Sequence, residues 1–328
     1  MPRLWLHITL FLVTLVTTTA AGALQAGADF LSDPRELVAG LPFALTLMSI
    51  LLVHEMGHYL TSRYYGVKAT LPYFIPGPPI VGTLGAFIRM QSPMPDRRSL
   101  FDIGAAGPLA GLVLAIPAVV VGFRFSSVGL DDSSGGGLTL GSSLLFSFLS
   151  KVTLGVMPDD ADILLHPIAF AGWIGLLVTA MNLLPAGQLD GGHVTYALFG
   201  RKYIWVSRLT VICLLTLGTA RSSYGWIIWG LLILLVTGVR HPPPVDPDTP
   251  LDPKRKFMGW FLLATLAVTF VPVPISFHEP EPREERRERE APETLQRTRG
   301  REVFHERAIE LAPILHDDHA PSGGALHL

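Results

Sequence analysis

The sequence is poor in the groups that hold most soluble domains and thiolate metal sites together. Its 328 residues include one cysteine, Cys213, inside an apolar run. A single thiol excludes an internal disulfide framework and a multi-cysteine zinc site, so a metal would have to be held by His, Asp or Glu. Charge is scarce too: 16% of residues are Asp, Glu, Lys or Arg, against roughly 25% in ordinary soluble domains. The net charge of -2 gives no basis for nucleic-acid binding. What is abundant is apolar. Hydrophobic residues make up 49% of the chain and the mean hydropathy is +0.42, which places it among membrane proteins before any motif is read.

A helix that crosses the hydrocarbon core needs roughly 20 mostly apolar residues. Such runs lie at about 4–24, 40–60, 104–124, 166–185, 204–220, 224–240 and 257–276. The expected fold is therefore an all-α polytopic membrane protein with about seven transmembrane helices. The stretch Leu138–Met157 carries Lys151 and several serines, and is expected to be re-entrant or to lie on the surface. The first run could be a signal peptide, with Arg3 as its basic end; its length favours an uncleaved span. Basic residues set the orientation. Arg63, Lys68, Arg89, Arg97 and Arg98, then Arg201 and Lys202, then Lys254, Arg255 and Lys256 fall in alternate loops. Those loops are expected in the cytosol, and the acidic, glycine-rich Asp131–Gly137 outside. The chain divides into an N-terminal span and outside loop (1–39), a membrane core (40–240), a Pro-rich cytosolic loop with the last span (241–277), and a charged tail, 278–328, expected to be disordered.

The polar exception in the second run is His54-Glu55-Met56-Gly57-His58, a H-E-x-x-H motif. On a helix, positions four apart share a face, so both imidazoles can reach one ion. Glu55 then lies beside the place where water would attack a carbonyl, suited to take its proton. The blander reading, two interfacial histidines and a snorkelling glutamate, is disfavoured because ionisable groups at a span's end are costly without a role.

A catalytic zinc has three protein ligands and an open position. Without a suitable cysteine, a carboxylate is the natural third. Asp102 begins the third span, and Asp190 follows the fourth in Asn182-Leu183-Leu184-Pro185-Ala186-Gly187-Gln188-Leu189-Asp190-Gly191-Gly192-His193. Proline and glycine break the helix there. Irregular backbone at membrane depth is tolerated only inside protein or beside a water-filled cavity, so this stretch should line one. Residues 82–90, Gly82 to Met90, read as a strand. Gly104, Gly107 and Gly111 around Pro108 read as close helix packing.

Two separated motifs, HEMGH at 54–58 and N-x-x-P-x-x-x-L-D-G from Asn182 to Gly191, make the chain resemble the site-2 protease family of intramembrane metalloproteases. The segment Gly82–Gly111 resembles the family as well, and the likeness covers about 40–240. It implies a metalloprotease core there with a short re-entrant β element. It implies one Zn2+ per chain on His54, His58 and Asp190, with Glu55 as general base. It also implies that Asn182 orients substrate or oxyanion. Only about 40 residues separate the third and fourth spans, too few for a PDZ domain. The resemblance implies proteolysis of membrane-anchored protein substrates, expected in a bacterial cytoplasmic membrane; the basic loops that follow both ligand-bearing spans lead to the expectation that the site opens to the cytosol. His193 is expected to pack near the site without being a ligand. A transporter or an inactive scaffold is the alternative. The hydrolase pattern, with a base between the histidines, speaks against the first. The complete set of four core residues speaks against the second.

Overall fold

Close contact between small residues brings three helices together at the centre of the structure, a computed structural model that describes residues 4–129, 137–158, 162–221 and 223–278. The helices are α1 (Leu4–Gln25), α2 (Leu41–Tyr64), α3 (Arg97–Arg124), α4 (Leu144–Leu154), α5 (Pro167–Leu183), α6 (Asp190–Phe199), α7 (Tyr203–Ala220), α8 (Tyr224–Leu232) and α9 (Pro253–Thr269). All belong to one compact unit, Met1–Asp132 with Leu138–Ser276. The remainder, 133–137 and 277–328, lies almost wholly outside the described residues. Most of the glycine-rich loop and the charged tail singled out in the sequence therefore fall outside the described residues.

At the centre α2, α3 and α5 cross. Between apolar helices in lipid, association rests on close packing by small residues. A Cβ on Gly57 of α2 would lie 2.6 Å from the Ala106 carbonyl of α3, and one on Gly122 would lie 2.1 Å from the Ala169 nitrogen of α5. Phe43, Leu47, Ile50 and Leu51 of α2 then meet Ala115, Val119 and Phe123 of α3 and Ala169, Trp173 and Leu176 of α5 in one buried cluster. The Trp173 indole N–H donates to the Gly141 carbonyl at 2.8 Å, so its polar edge is satisfied. α3 begins with a reciprocal capping box between Asp96 and Ser99, which satisfies two otherwise orphan N–H groups. It remains one helix through Pro108 and Pro117.

Two antiparallel strands, β1 (Tyr73–Pro76) and β2 (Thr83–Phe87), form the expected β element. Their register pairs Tyr73 with Phe87, Phe74 with Ala86 and Ile75 with Gly85. The strand partner 73–76 was not anticipated. α1 braces this hairpin by bonding its carbonyls. His7 Nδ1 faces the Pro72 oxygen at 3.1 Å, Thr17 donates to Gly82 at 2.6 Å, and the Gln25 amide donates to Ile80 at 2.7 Å.

Among the described residues four helical stretches are long and apolar enough to cross a membrane: Leu4–Gln25, Pro34–Tyr64, Arg97–Arg124 and Asp190–Ala220. The runs expected at 166–185 and 224–240 form the shorter apolar helices Pro167–Leu183 and Tyr224–Thr237, and α9 is not among the candidates. Seven spans are thus expected from sequence, and four are carried by helix length and composition. α4 has 11 residues, about half of what spanning requires, in keeping with the re-entrant or surface reading of its stretch.

If the α3–α5 crossing depends on a missing side chain, Gly122→Val should cost about 1–3 kcal/mol from overpacking. Thermal unfolding of the purified protein in detergent checks this; an unchanged midpoint would contradict the packing account.

Candidate metal centre

α2 sets His54 and His58 one turn apart on the face turned toward α3, and both are buried. The carboxylate comes from the break after α5. The residue before a proline is pushed out of the helical region, and Leu184, before Pro185, has φ -54° and ψ 126°. Gly187 follows at φ 55°, a left-handed conformation that glycine adopts without strain. The turn is pinned by the Gly187 N–H donating to Ser207 Oγ at 3.2 Å. The chain then re-enters helix at Asp190, the first residue of α6. The irregular stretch is thus shorter than the sequence pattern indicated, and Asp190 sits in a first helical turn, where the backbone dipole favours a carboxylate.

These elements bring together three of the expected residues. The His54 Nε2 lies 3.3 Å from Asp190 Oδ2, the His58 Nε2 lies 3.2 Å from Asp190 Oδ1, and the two imidazole Nε2 atoms are 3.3 Å apart. Among the described residues this is the group of His, Cys, Asp and Glu arranged to hold a metal. A tetrahedral ion with bonds of about 2.0–2.2 Å needs neighbouring ligand atoms roughly 3.3–3.6 Å apart. The donor set therefore fits zinc in spacing as well as in type. His58 Nδ1 faces the Ile103 carbonyl at 2.7 Å. A carbonyl only accepts, so Nδ1 carries the proton and Nε2 is left with its lone pair toward the ligand position.

Glu55, between the histidines, is 6% exposed and stands outside the ligand group. Its carboxylate receives the backbone N–H of Ile88, the residue after β2. Asn182, in the last turn of α5, places Nδ2 3.2 Å from His54 Nε2. All five residues expected at the site thus converge there. Asp102 does not. It accepts a two-point contact from Arg255, 2.9 Å to Oδ1 and 2.6 Å to Oδ2, and a hydrogen bond from Tyr65. Burial, then the contact with Asp102, pushes the Tyr65 phenol above its usual pKa. The other carboxylate that sequence left open as a third ligand is therefore already committed.

The glycines of α3 do more than pack helices. A Cβ on Gly107 would fall 2.0 Å from His58 Nε2, one on Gly111 would fall 3.1 Å from His54 Nδ1, and one on Gly104 would fall 2.6 Å from His193 Cβ. Their spacing of three and four marks one helix face, and that face makes room for the histidines. His193 lies outside the group of His54, His58 and Asp190 and pairs with His241. Three contributors were missed from sequence: the Ile103 carbonyl, His241 and Arg255. Only the glycine spacing carried a readable signal.

Gly107→Ala should displace His58 and weaken zinc retention by about tenfold or more, the range seen when the supports of a metal ligand are disturbed. Metal analysis after dialysis against a chelator checks this. Full zinc retention would mean that Gly107 is not the gap the histidine needs.

A protein from Arabidopsis thaliana named "Probable zinc metalloprotease EGY1, chloroplastic" is 34% identical over 239 residues, covering 72% of this chain and 43% of its own length. One named "Probable zinc metalloprotease EGY2, chloroplastic", also from Arabidopsis thaliana, is 33% identical, covering 81% of this chain and 48% of its own. The EGY1 protein of Oryza sativa subsp. japonica is 31% identical, covering 82% and 51%. The chain spans about half the length of these relatives. The profile of peptidase family M50 matches residues 42–217, a stretch that holds His54, Glu55, His58, Asn182 and Asp190. This chain belongs to peptidase family M50, the site-2 protease family.

Proposed function

We propose that the protein is a zinc endopeptidase that hydrolyses peptide bonds of membrane-anchored protein substrates within or next to the bilayer. The observation that carries this reading is the triangle of His54, His58 and Asp190 donor atoms at 3.2–3.3 Å, with a buried glutamate between the two histidines. One zinc per chain is held by these three residues. When bound, zinc supplies Lewis acidity, which makes water a nucleophile near neutral pH and polarises a carbonyl.

The chain's own groups do the rest. Glu55 takes the proton of the attacking water and passes it to the leaving amine. The Asn182 amide lies beside His54, where an N–H donor can hold the substrate carbonyl oxygen as it gains charge. β2 pairs with β1 along one edge, and no strand occupies its other edge among the described residues. A helical substrate hides its peptide bonds in internal hydrogen bonds. Unwound, it can pair its backbone with that free edge, where Leu84 and Phe87 are exposed. Ile88 follows directly and donates to Glu55, so the edge runs up to the general base.

Basic loops place the ends of α2 and α5 on the cytosolic side in a seven-span arrangement, with the site opening there. That topology, and the assignment to a bacterial cytoplasmic membrane, rest on sequence alone; the relatives compared are plant proteins named as chloroplastic.

Glu55→Gln keeps the side-chain shape but cannot accept the proton. Cleavage of a membrane-anchored model substrate should fall by about 10²–10⁴-fold, the usual worth of a positioned acid–base group, with zinc content unchanged. Turnover near that of the wild type would remove Glu55 from the mechanism. Phe87→Pro deletes one backbone N–H of β2 and restricts φ. Cleavage should drop about tenfold or more while zinc stays bound, and undiminished cleavage would rule out strand pairing.

A further inference from the structure

We infer that the segment 241–255, which lies beyond the family-matched residues 42–217, is part of the metal-site scaffold, with Arg255 and His241 as positioning residues for His58 and Asp190. The inference rests on the zinc reading above and deepens it. Arg255 stands in the first turn of α9. Its Nε donates to Asp102 Oδ1 at 2.9 Å and its Nη2 to Asp102 Oδ2 at 2.6 Å, the two-point fork that fixes a carboxylate in orientation as well as place. The same Nη2 donates to the Tyr65 hydroxyl at 3.1 Å, Nη1 donates to Asp252, and Tyr65 donates to Asp102. Tyr65 directly follows the helix that carries His54 and His58. Asp102 directly precedes Ile103, whose carbonyl holds His58 Nδ1–H. One guanidinium thus fastens the end of α2 to the turn of α3 that orients a zinc ligand. The side chains of Arg255 and Asp102 are 28% and 25% exposed. Partly exposed ion pairs add little stability, so what this one can supply is geometry.

The second attachment reaches the other ligand-bearing element. His241 Nδ1 faces the Pro242 carbonyl at 2.6 Å, and because that oxygen only accepts, Nδ1 carries the proton. Burial draws the His241 pKa down to about 4, so the ring is neutral and its Nε2 accepts from His193 Nδ1–H. His193 is three residues beyond Asp190, on the same helix face, with its Cβ against Gly104. Held by His241, it resists rotation of α6 about its axis, and that rotation would swing the Asp190 carboxylate away from the histidines. Between the two attachments the loop is laced to the start of α3. Val245 and Asp246 donate to the Met94 and Pro95 carbonyls at 2.9 Å each, and Arg98 donates to the Pro250 carbonyl at 3.1 Å.

The test uses the purified 328-residue chain and three readouts: zinc affinity by competition with a chromogenic chelator, the visible absorption of the cobalt(II)-substituted protein, and the melting temperature. Arg255→Met and His241→Ala should each weaken zinc by about tenfold and alter the cobalt bands, which report ligand geometry. Arg255→Lys keeps the charge without the fork and should fall between wild type and Arg255→Met. A latch that serves only stability would lower the melting temperature and leave zinc affinity and cobalt bands in place; affinities within about twofold of wild type in both variants would overturn the inference. If Arg255→Met does not fold, Arg255→Lys and Tyr65→Phe decide on the same criteria. A wild-type chain that takes up no zinc would overturn the zinc reading itself, whereas zinc uptake by the wild type with unmoved variants would overturn only the role of 241–255.

Discussion

Two buried imidazoles and a partly buried carboxylate within an apolar helical bundle are expensive to desolvate unless they converge on something they share. His54, His58 and Asp190 converge, and much of the local architecture follows from that requirement. The histidines need one helix face, so α2 must run unbroken through the motif. The carboxylate arrives from another element: the chain breaks after α5 and starts a new helix at Asp190. Imidazole rings between close-packed helices need space, which the glycines at 104, 107 and 111 of α3 leave.

α3 is consequently the element on which the site turns. It packs against α2 and α5 through small residues, leaves the gaps the histidines fill, and offers the Ile103 carbonyl that sets the tautomer of His58. Its first turns are bound in turn by outer segments: Arg97 donates to the Ala197 carbonyl at the end of α6, at 2.6 Å from Nη2, and Asp102 takes the fork of Arg255. On the other side of the site the β hairpin is braced by α1 and ends beside Glu55. A closely packed centre with a strand edge at its border is an arrangement that would suit the proposed hydrolysis of an unwound membrane segment.

The residues that gather at the candidate site were legible because their patterns are local. His54, Glu55 and His58 lie within one turn and a half of helix, and the Asn182–Asp190 pattern announces a helix break and a carboxylate together. The apolar runs located most helices to within a few residues, although length alone carries only four of the seven as candidate spans. What sequence could not provide depends on partners far along the chain. Asp102 looked eligible as a ligand until its guanidinium partner, 153 residues away, came into view. β2 showed strand character in isolation, but nothing in 73–76 announced its partner, because Pro72 precedes that short run and Pro76 ends it, which masks its periodicity. The Pro-rich loop carries no hydrophobic period at all, so its links to His193 and to the start of α3 become visible only in three dimensions.

The central claim is that a single zinc ion sits on two imidazoles and one carboxylate in the intact chain. X-ray absorption at the zinc edge of the purified protein tests it most directly. The account predicts a four-coordinate first shell of nitrogen and oxygen only, at about 2.0–2.2 Å, with the multiple-scattering pattern of two histidines. A sulfur scatterer from Cys213, a shell with one imidazole or none, or protein free of zinc after isolation in zinc-containing medium would contradict it.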